Sequence, residues 1–108
     1  MRVISQDGTM DFPYENSIVF IDTRAKDAVF VRMQAIGDDE VSIMAEYSTE
    51  EKAKKAMEML RIVYENNEFY HHTSNSEHFK EFAKSLSEEM FKKAISEYFQ
   101  FPAEEELE

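Results

Sequence analysis

Three histidines, His71, His72 and His78, fall within eight residues of one another and are the only histidines in the chain. Imidazoles so close together, with Glu68 or Glu77 as a carboxylate neighbour, are the residue types that bind a transition metal. The spacing matches no familiar zinc motif, and a structural zinc site would usually bring cysteines, of which there are none. Ordinary polar histidines are therefore the simpler reading, with a metal site as the alternative. Asp38-Asp39-Glu40 is a second cluster with acid/base or cation-binding potential. It follows Gly37 and lacks the ligand spacing of a calcium-binding loop, so it reads as a solvated turn. No serine sits in a nucleophile-elbow pattern and no glycine-rich loop is available to cradle phosphate. No catalytic residue and no cofactor is assigned. Catalytic groups converge in space rather than in sequence, so this lowers the expectation of an enzyme without removing it.

The elements that would position these residues divide at Tyr47-Ser48. Before it, Val41, Ile43, Ala45 and Tyr47 alternate with Ser42, Met44 and Glu46, the period of a strand with one buried face. After it, Ala53, Ala56, Met57, Leu60, Val63 and Tyr64 lie on one stripe of a helix, with Glu50, Glu51, Lys54, Lys55, Glu58 and Arg61 facing away. Ser48 and Glu51 have the spacing of a capping box. The helix is expected over about 49–65, with Asn66-Asn67 as its stop.

Upstream, turn signals are too closely spaced for crossover helices, and residues 1–47 read as an antiparallel meander. Asp7-Gly8 is expected to make a two-residue hairpin turn between 3–5 and 10–12. Pro13 must end the second strand or lie at a sheet edge, because it cannot donate to a ladder. Further strands are expected over 17–22 and 28–35, and Gly37-Asp38-Asp39 turns the chain into the strand before the junction.

Downstream, Phe69-Tyr70-His71-His72 reads as a connector or a short extra strand. Ser74 and Glu77 repeat the cap spacing, and a second helix follows, either continuous or broken near Ser85-Leu86-Ser87. Its apolar residues spread around the axis, so Phe91, Ile95, Tyr98, Phe99 and Phe101 cannot all face one groove. Either the sheet and first helix curve around them or they form a surface for another protein or a second copy. Pro102 is expected to end the ordered part, leaving 103–108 as an acidic, disordered tail. The expectation is a single α+β domain over 1–102: an antiparallel meander of four or five strands followed by two or three helices.

The chain of 108 residues carries a net charge of −11. Without a clustered basic stripe to release counterions, direct nucleic-acid binding is disfavoured. The beginning lacks the apolar run of a signal peptide and no stretch is long enough to span a bilayer, so the chain reads as cytoplasmic with no membrane partner.

Two blocks carry a resemblance. Met1-Arg2-Val3-Ile4-Ser5-Gln6-Asp7-Gly8-Thr9 with Asp11 and Pro13-Tyr14-Glu15 is the first, and Tyr47-Ser48-Thr49-Glu50-Glu51-Lys52-Ala53 with Ala56-Met57-Glu58-Met59-Leu60 is the second. Together they resemble small uncharacterised proteins of phages and integrated elements of Gram-positive bacteria, over about residues 1–64. The resemblance implies a cytoplasmic setting and mobile-element ancestry, and it brings no catalytic residues. The leading expectation is a non-enzymatic protein-interaction or accessory protein. The alternatives are a metal-binding protein or metal-dependent enzyme built on His71, His72 and His78, and an acidic inhibitor of a nucleic-acid-binding protein.

Overall fold

A computed structural model of the chain describes residues 1–73 and 98–107. Among these residues six strands form two three-stranded sheets, accompanied by one α-helix. The first sheet has the order β2-β1-β6, with β1 Arg2–Ile4, β2 Asp11–Pro13 and β6 Tyr98–Gln100. The second has the order β3-β4-β5, with β3 Ser17–Asp22, β4 Val29–Ala35 and β5 Ser42–Tyr47. Helix α1 runs over Glu50–Thr73. The expected mixed α and β architecture is present, and β3-β4-β5 is an antiparallel meander.

The expected single meander is divided, because β1 pairs antiparallel with β2 on one side and parallel with β6 on the other. Tyr98 and Phe99, expected within the second helix, instead form a strand with Gln100. A three-residue strand held by β1 has no local signal, since its hydrogen-bond partner lies far away in sequence. Residues 74–97, where the rest of the second expected helix and any third one were placed, Phe91 and Ile95 included, fall outside the described residues.

The hairpin between β1 and β2 is also wider than expected. Gly8 has φ +77°, but no non-glycine residue described has positive φ, so Asp7-Gly8 is not a two-residue turn of the type that needs both. Instead the Gly8 N–H bonds the Ser5 carbonyl at 2.9 Å, and the Ser5 N–H bonds the Met10 carbonyl at 2.9 Å. Side chains close this loop. The Asp7 Oδ1 accepts from the Ser5 hydroxyl at 2.7 Å, the Thr9 hydroxyl at 2.7 Å and the Thr9 N–H at 3.0 Å. At the end of β2, Pro13 lies on an edge strand as expected.

At the junction the two periods appear, with two changes. Val31 pairs with Ala45 but Arg32 pairs with Ile43, which leaves Met44 as the extra residue of a bulge. The bulge shifts the side-chain alternation: Ala45 and Tyr47 are buried as expected, Met44 joins them, and Val41 and Ile43 are exposed. The helix cap moves by one residue as well. Thr49 accepts the Lys52 N–H on its hydroxyl at 3.2 Å, while the Ser48 N–H that Glu51 was to cap goes to the Glu104 carboxylate at 2.6 Å.

Helix α1 continues through Asn66-Asn67 and through the segment 69–72 that had read as a connector or strand. Asn67 is buried and extends the inward series Ala53, Ala56, Leu60 at helical spacing. The modest helix penalty of asparagine is smaller than what packing along a stripe supplies. Outward, Glu50 and Lys54 form an i,i+4 pair at 3.5 Å. The core combines Val31, Met33, Ala45 and Tyr47 with Ala53, Ala56 and Leu60, and Val3, Phe99 and Phe101 join from the other sheet and its extension. After Pro102, where order was expected to stop, Glu104–Leu107 form a 3-10 turn that packs against α1 with Leu107 buried.

Candidate functional site

The C-terminal aromatics expected to form one surface are split by strand geometry. Successive side chains of β6 point to opposite faces, so Tyr98 is 57% exposed while Phe99 is buried. Phe101 is buried too, and the Phe99 and Phe101 rings meet edge to face at 5.3 Å. Phe99 and Phe101 are therefore core residues rather than parts of a docking surface. Phe91 and Ile95 lie outside the described residues. His71 and His72 fall in the last turn of α1, and their side chains and His78 lie outside the description. Among the described residues no group of three His, Asp or Glu side chains is placed to hold a metal ion. Asp38 serves its own turn: its carboxylate accepts the Glu40 N–H at 3.1 Å and its carbonyl accepts from the Gln34 amide at 2.7 Å.

A polar junction joins the hairpin loop, β5 and the C-terminal segment. The Pro102 carbonyl accepts the Tyr47 hydroxyl at 2.8 Å and the Gln6 side-chain amide at 3.0 Å. Gln6 also gives its backbone N–H to the bulged Met44 carbonyl at 2.7 Å and accepts the Glu46 N–H on its side-chain oxygen at 3.1 Å. Burial, with the carboxylates of Glu106 and Glu104 nearby, pushes the Tyr47 phenol well above its usual range. Tyr47 therefore stays a neutral donor at physiological pH. Hydrogen bonds from Ser48, aided by Lys52, hold the Glu104 carboxyl below its usual value. Each polar group here has a structural partner, so the junction fastens the two sheets together.

The remaining cluster lies on the face of β3-β4-β5 turned away from α1. Register places Ile18 opposite Gln34, Phe20 opposite Arg32 and Asp22 opposite Phe30, and continues from Arg32 to Ile43 on β5. Ile18 is 56% exposed and Ile43 42% exposed on either side of Arg32. Asp22 is buried beneath two guanidinium groups. Arg24 grips it through Nε and Nη2, both at 2.9 Å, and also through its backbone N–H at 3.0 Å, while Arg32 Nε reaches it at 2.8 Å. These bonds, Arg24's first, hold the Asp22 carboxyl well below the usual carboxylate range. Arg32 in turn sits 5.5 Å from the centroid of the Phe30 ring.

A carboxylate so committed is a poor proton acceptor, and among the described residues no nucleophile is hydrogen-bonded to it. What the arrangement offers is recognition: aliphatic and aromatic surface around a fixed arginine, with the Arg24 side chain 83% exposed at the rim. Sequence reading missed this cluster. The two-residue spacing of Asp22 and Arg24 hints at an Asx turn, but only strand register brings Arg32 to the same carboxylate.

On the opposite face an open groove of about 720 Å³ runs between β3 and α1, lined by Tyr14, Val19 and Ile21 and by Met57, Leu60 and Arg61. No helix among the described residues is long and apolar enough to cross a membrane. Compared with family models, curated proteins and solved structures, the chain matches none.

Proposed function

We propose that this chain is a non-enzymatic protein-interaction module, a cytoplasmic accessory protein of mobile-element origin, and that it binds its partner on the outer face of β3-β4-β5. The observation that carries this reading is the exposure of Ile18 and Ile43 around the ordered Arg32-Asp22 pair. Isolated exposed aliphatics are ordinary, but here they share one sheet face with Phe20, Phe30 and Arg32, and Arg24 reaches the same face through Asp22. Arginine and aromatic side chains are enriched at the centres of protein interfaces. The face suits a protein surface that supplies apolar side chains, with a carbonyl or carboxylate for Arg24. Mobile-element origin rests on the resemblance of residues 1–64 alone.

Site-specific photo-crosslinking in the cell of origin tests the reading. A crosslinker at Ile43 is expected to yield one discrete protein adduct that Arg24→Ala weakens, and a crosslinker at Met59, exposed on α1 outside the groove beside β3, is expected to yield none. No adduct from Ile43 under several growth conditions, or equal adducts from both positions, would overturn it.

A further inference from the structure

The edges of the two sheets differ in how they are finished. β2 and β6 are three residues long, and β2 ends in proline. The β5 edge is engaged by Gln6, whose groups bond the Met44 carbonyl and the Glu46 N–H. β3 is six residues long, contains neither lysine nor proline, and carries its only charge at Asp22, the last residue. The direction of its backbone groups follows from the pairing with β4. The Ile36 N–H bonds the Asn16 carbonyl at 2.8 Å, so that pair is hydrogen-bonded, and alternation makes Ile18, Phe20 and Asp22 the residues bonded to β4. Val19 and Ile21 therefore aim both their N–H and C=O outward. Ser17 aims its C=O outward, since its N–H already bonds the Tyr14 carbonyl. Among the described residues these outward groups have no backbone partner. The groove beside Val19 and Ile21 leaves room for side chains of an added strand.

We propose that β3 pairs antiparallel with β3 of a second copy of this chain, with Val19 on the two-fold axis, joining the two meanders into one continuous sheet. This extends the interaction reading by giving the module a partner at its edge as well as on its face. The strand is self-complementary in this register. The two Val19 residues exchange both their backbone bonds, and at each end an Ile21 N–H meets a Ser17 carbonyl. On the outer face Ile18 lies opposite Phe20 of the second copy, which covers an aliphatic side chain that is exposed in the single chain. Sliding the register so that Phe20 occupies the axis would set Ile18 against the ion-paired Asp22 instead. The −11 charge of each copy opposes association, so screening by salt should favour the dimer.

The chain has no cysteine, which makes disulfide trapping a clean test. In the proposed register the Val19 Cα atoms are about 5.5 Å apart, as in any hydrogen-bonded antiparallel pair, and within disulfide reach. The Ile18 Cα atoms are displaced along the strands to about 8 Å, beyond that reach. Sedimentation of the full chain is expected to show a dimer that strengthens as salt is raised. Mild oxidation is expected to trap Val19→Cys and to leave Ile18→Cys untrapped despite its greater exposure. Should Val19→Cys fold poorly, Ser17→Cys combined with Ile21→Cys reads the same register. A monomer up to millimolar concentration, or trapping of Ile18→Cys as readily as Val19→Cys, would overturn the proposal. Arg24 lies beyond the end of β3, so Arg24→Ala should weaken the Ile43 adduct while leaving the dimer intact, and the two readings fail separately.

Discussion

At its β5 edge the β3-β4-β5 sheet receives Gln6, the bulged Met44 carbonyl is satisfied, and Tyr47 reaches the Pro102 carbonyl. At its β3 edge, two strands away, Val19 and Ile21 direct backbone groups outward with no such partner among the described residues. Both strands have six residues and similar apolar content, so propensity does not distinguish them. The difference lies in irregularity. A bulge twists β5 and presents Met44's carbonyl to a side element, whereas β3 is regular and remains a template for another strand. Regularity, usually a mark of stability, here marks the edge whose backbone groups have no partner among the described residues.

Removing the anchor behind the closed edge should have the largest effect. Phe101→Ala empties a fully buried site beside Phe99 and should cost about 3–5 kcal/mol in urea unfolding. By contrast, Ile18→Ser on the open edge should change the stability of the dilute single chain by no more than about 0.5 kcal/mol. Comparable losses from both would erase the distinction between the edges.

A smaller effect is expected at the stitch itself. Gln6→Ala leaves the Glu46 N–H without its side-chain acceptor and removes one of the two donors to Pro102, at a cost of about 0.5–1.5 kcal/mol because water can reach both groups. Amide exchange at Glu46 should accelerate while exchange across the β3-β4 ladder stays unchanged. An unchanged Glu46 rate would show that the loop does not close this edge.

The smallest effect is a pH dependence confined to the loop that carries Gln6. Hydrogen bonds from Ser5 first, then from Thr9, hold the Asp7 carboxyl at about 2 against an ordinary 3.8. The folded value lies below the unfolded one, so this contribution is full above about pH 4 and fades as pH falls toward 2. Ser5→Ala should move the Asp7 titration, followed by NMR, back toward 3.8 and flatten that acid-side loss. An Asp7 that titrates near 3.8 in the parent chain would show that the loop is not held this way.

The same contrast between near and distant partners explains what could be read in advance. The boundaries of β3, β4 and β5 were legible because apolar alternation and the signals at Pro13 and Gly37 are local. The start of α1 was legible to within a residue for the same reason. Its end was not, because Asn66-Asn67 resembles a stop until burial of Asn67 shows which face it occupies. Phe99 and Phe101 looked like excess surface because their cover comes from β1 and the sheet core, nearly the whole chain length away. The Asp22-Arg24-Arg32 cluster was invisible for a related reason: Arg32 reaches Asp22 only across the β3-β4 register.

The amino-acid sequence by itself determined the strand-to-helix change at Tyr47-Ser48, the three strands of the meander and the inward stripe of α1, because each depends on neighbours within a few residues. Tertiary structure alone decided that β6 joins β1, that Met44 bulges toward Gln6, that Glu104 caps Ser48 and that β3 is an edge strand among the described residues. Those outcomes depend on which distant backbone groups find partners, and a hydrogen bond between residues far apart in the chain leaves no periodic trace in either segment.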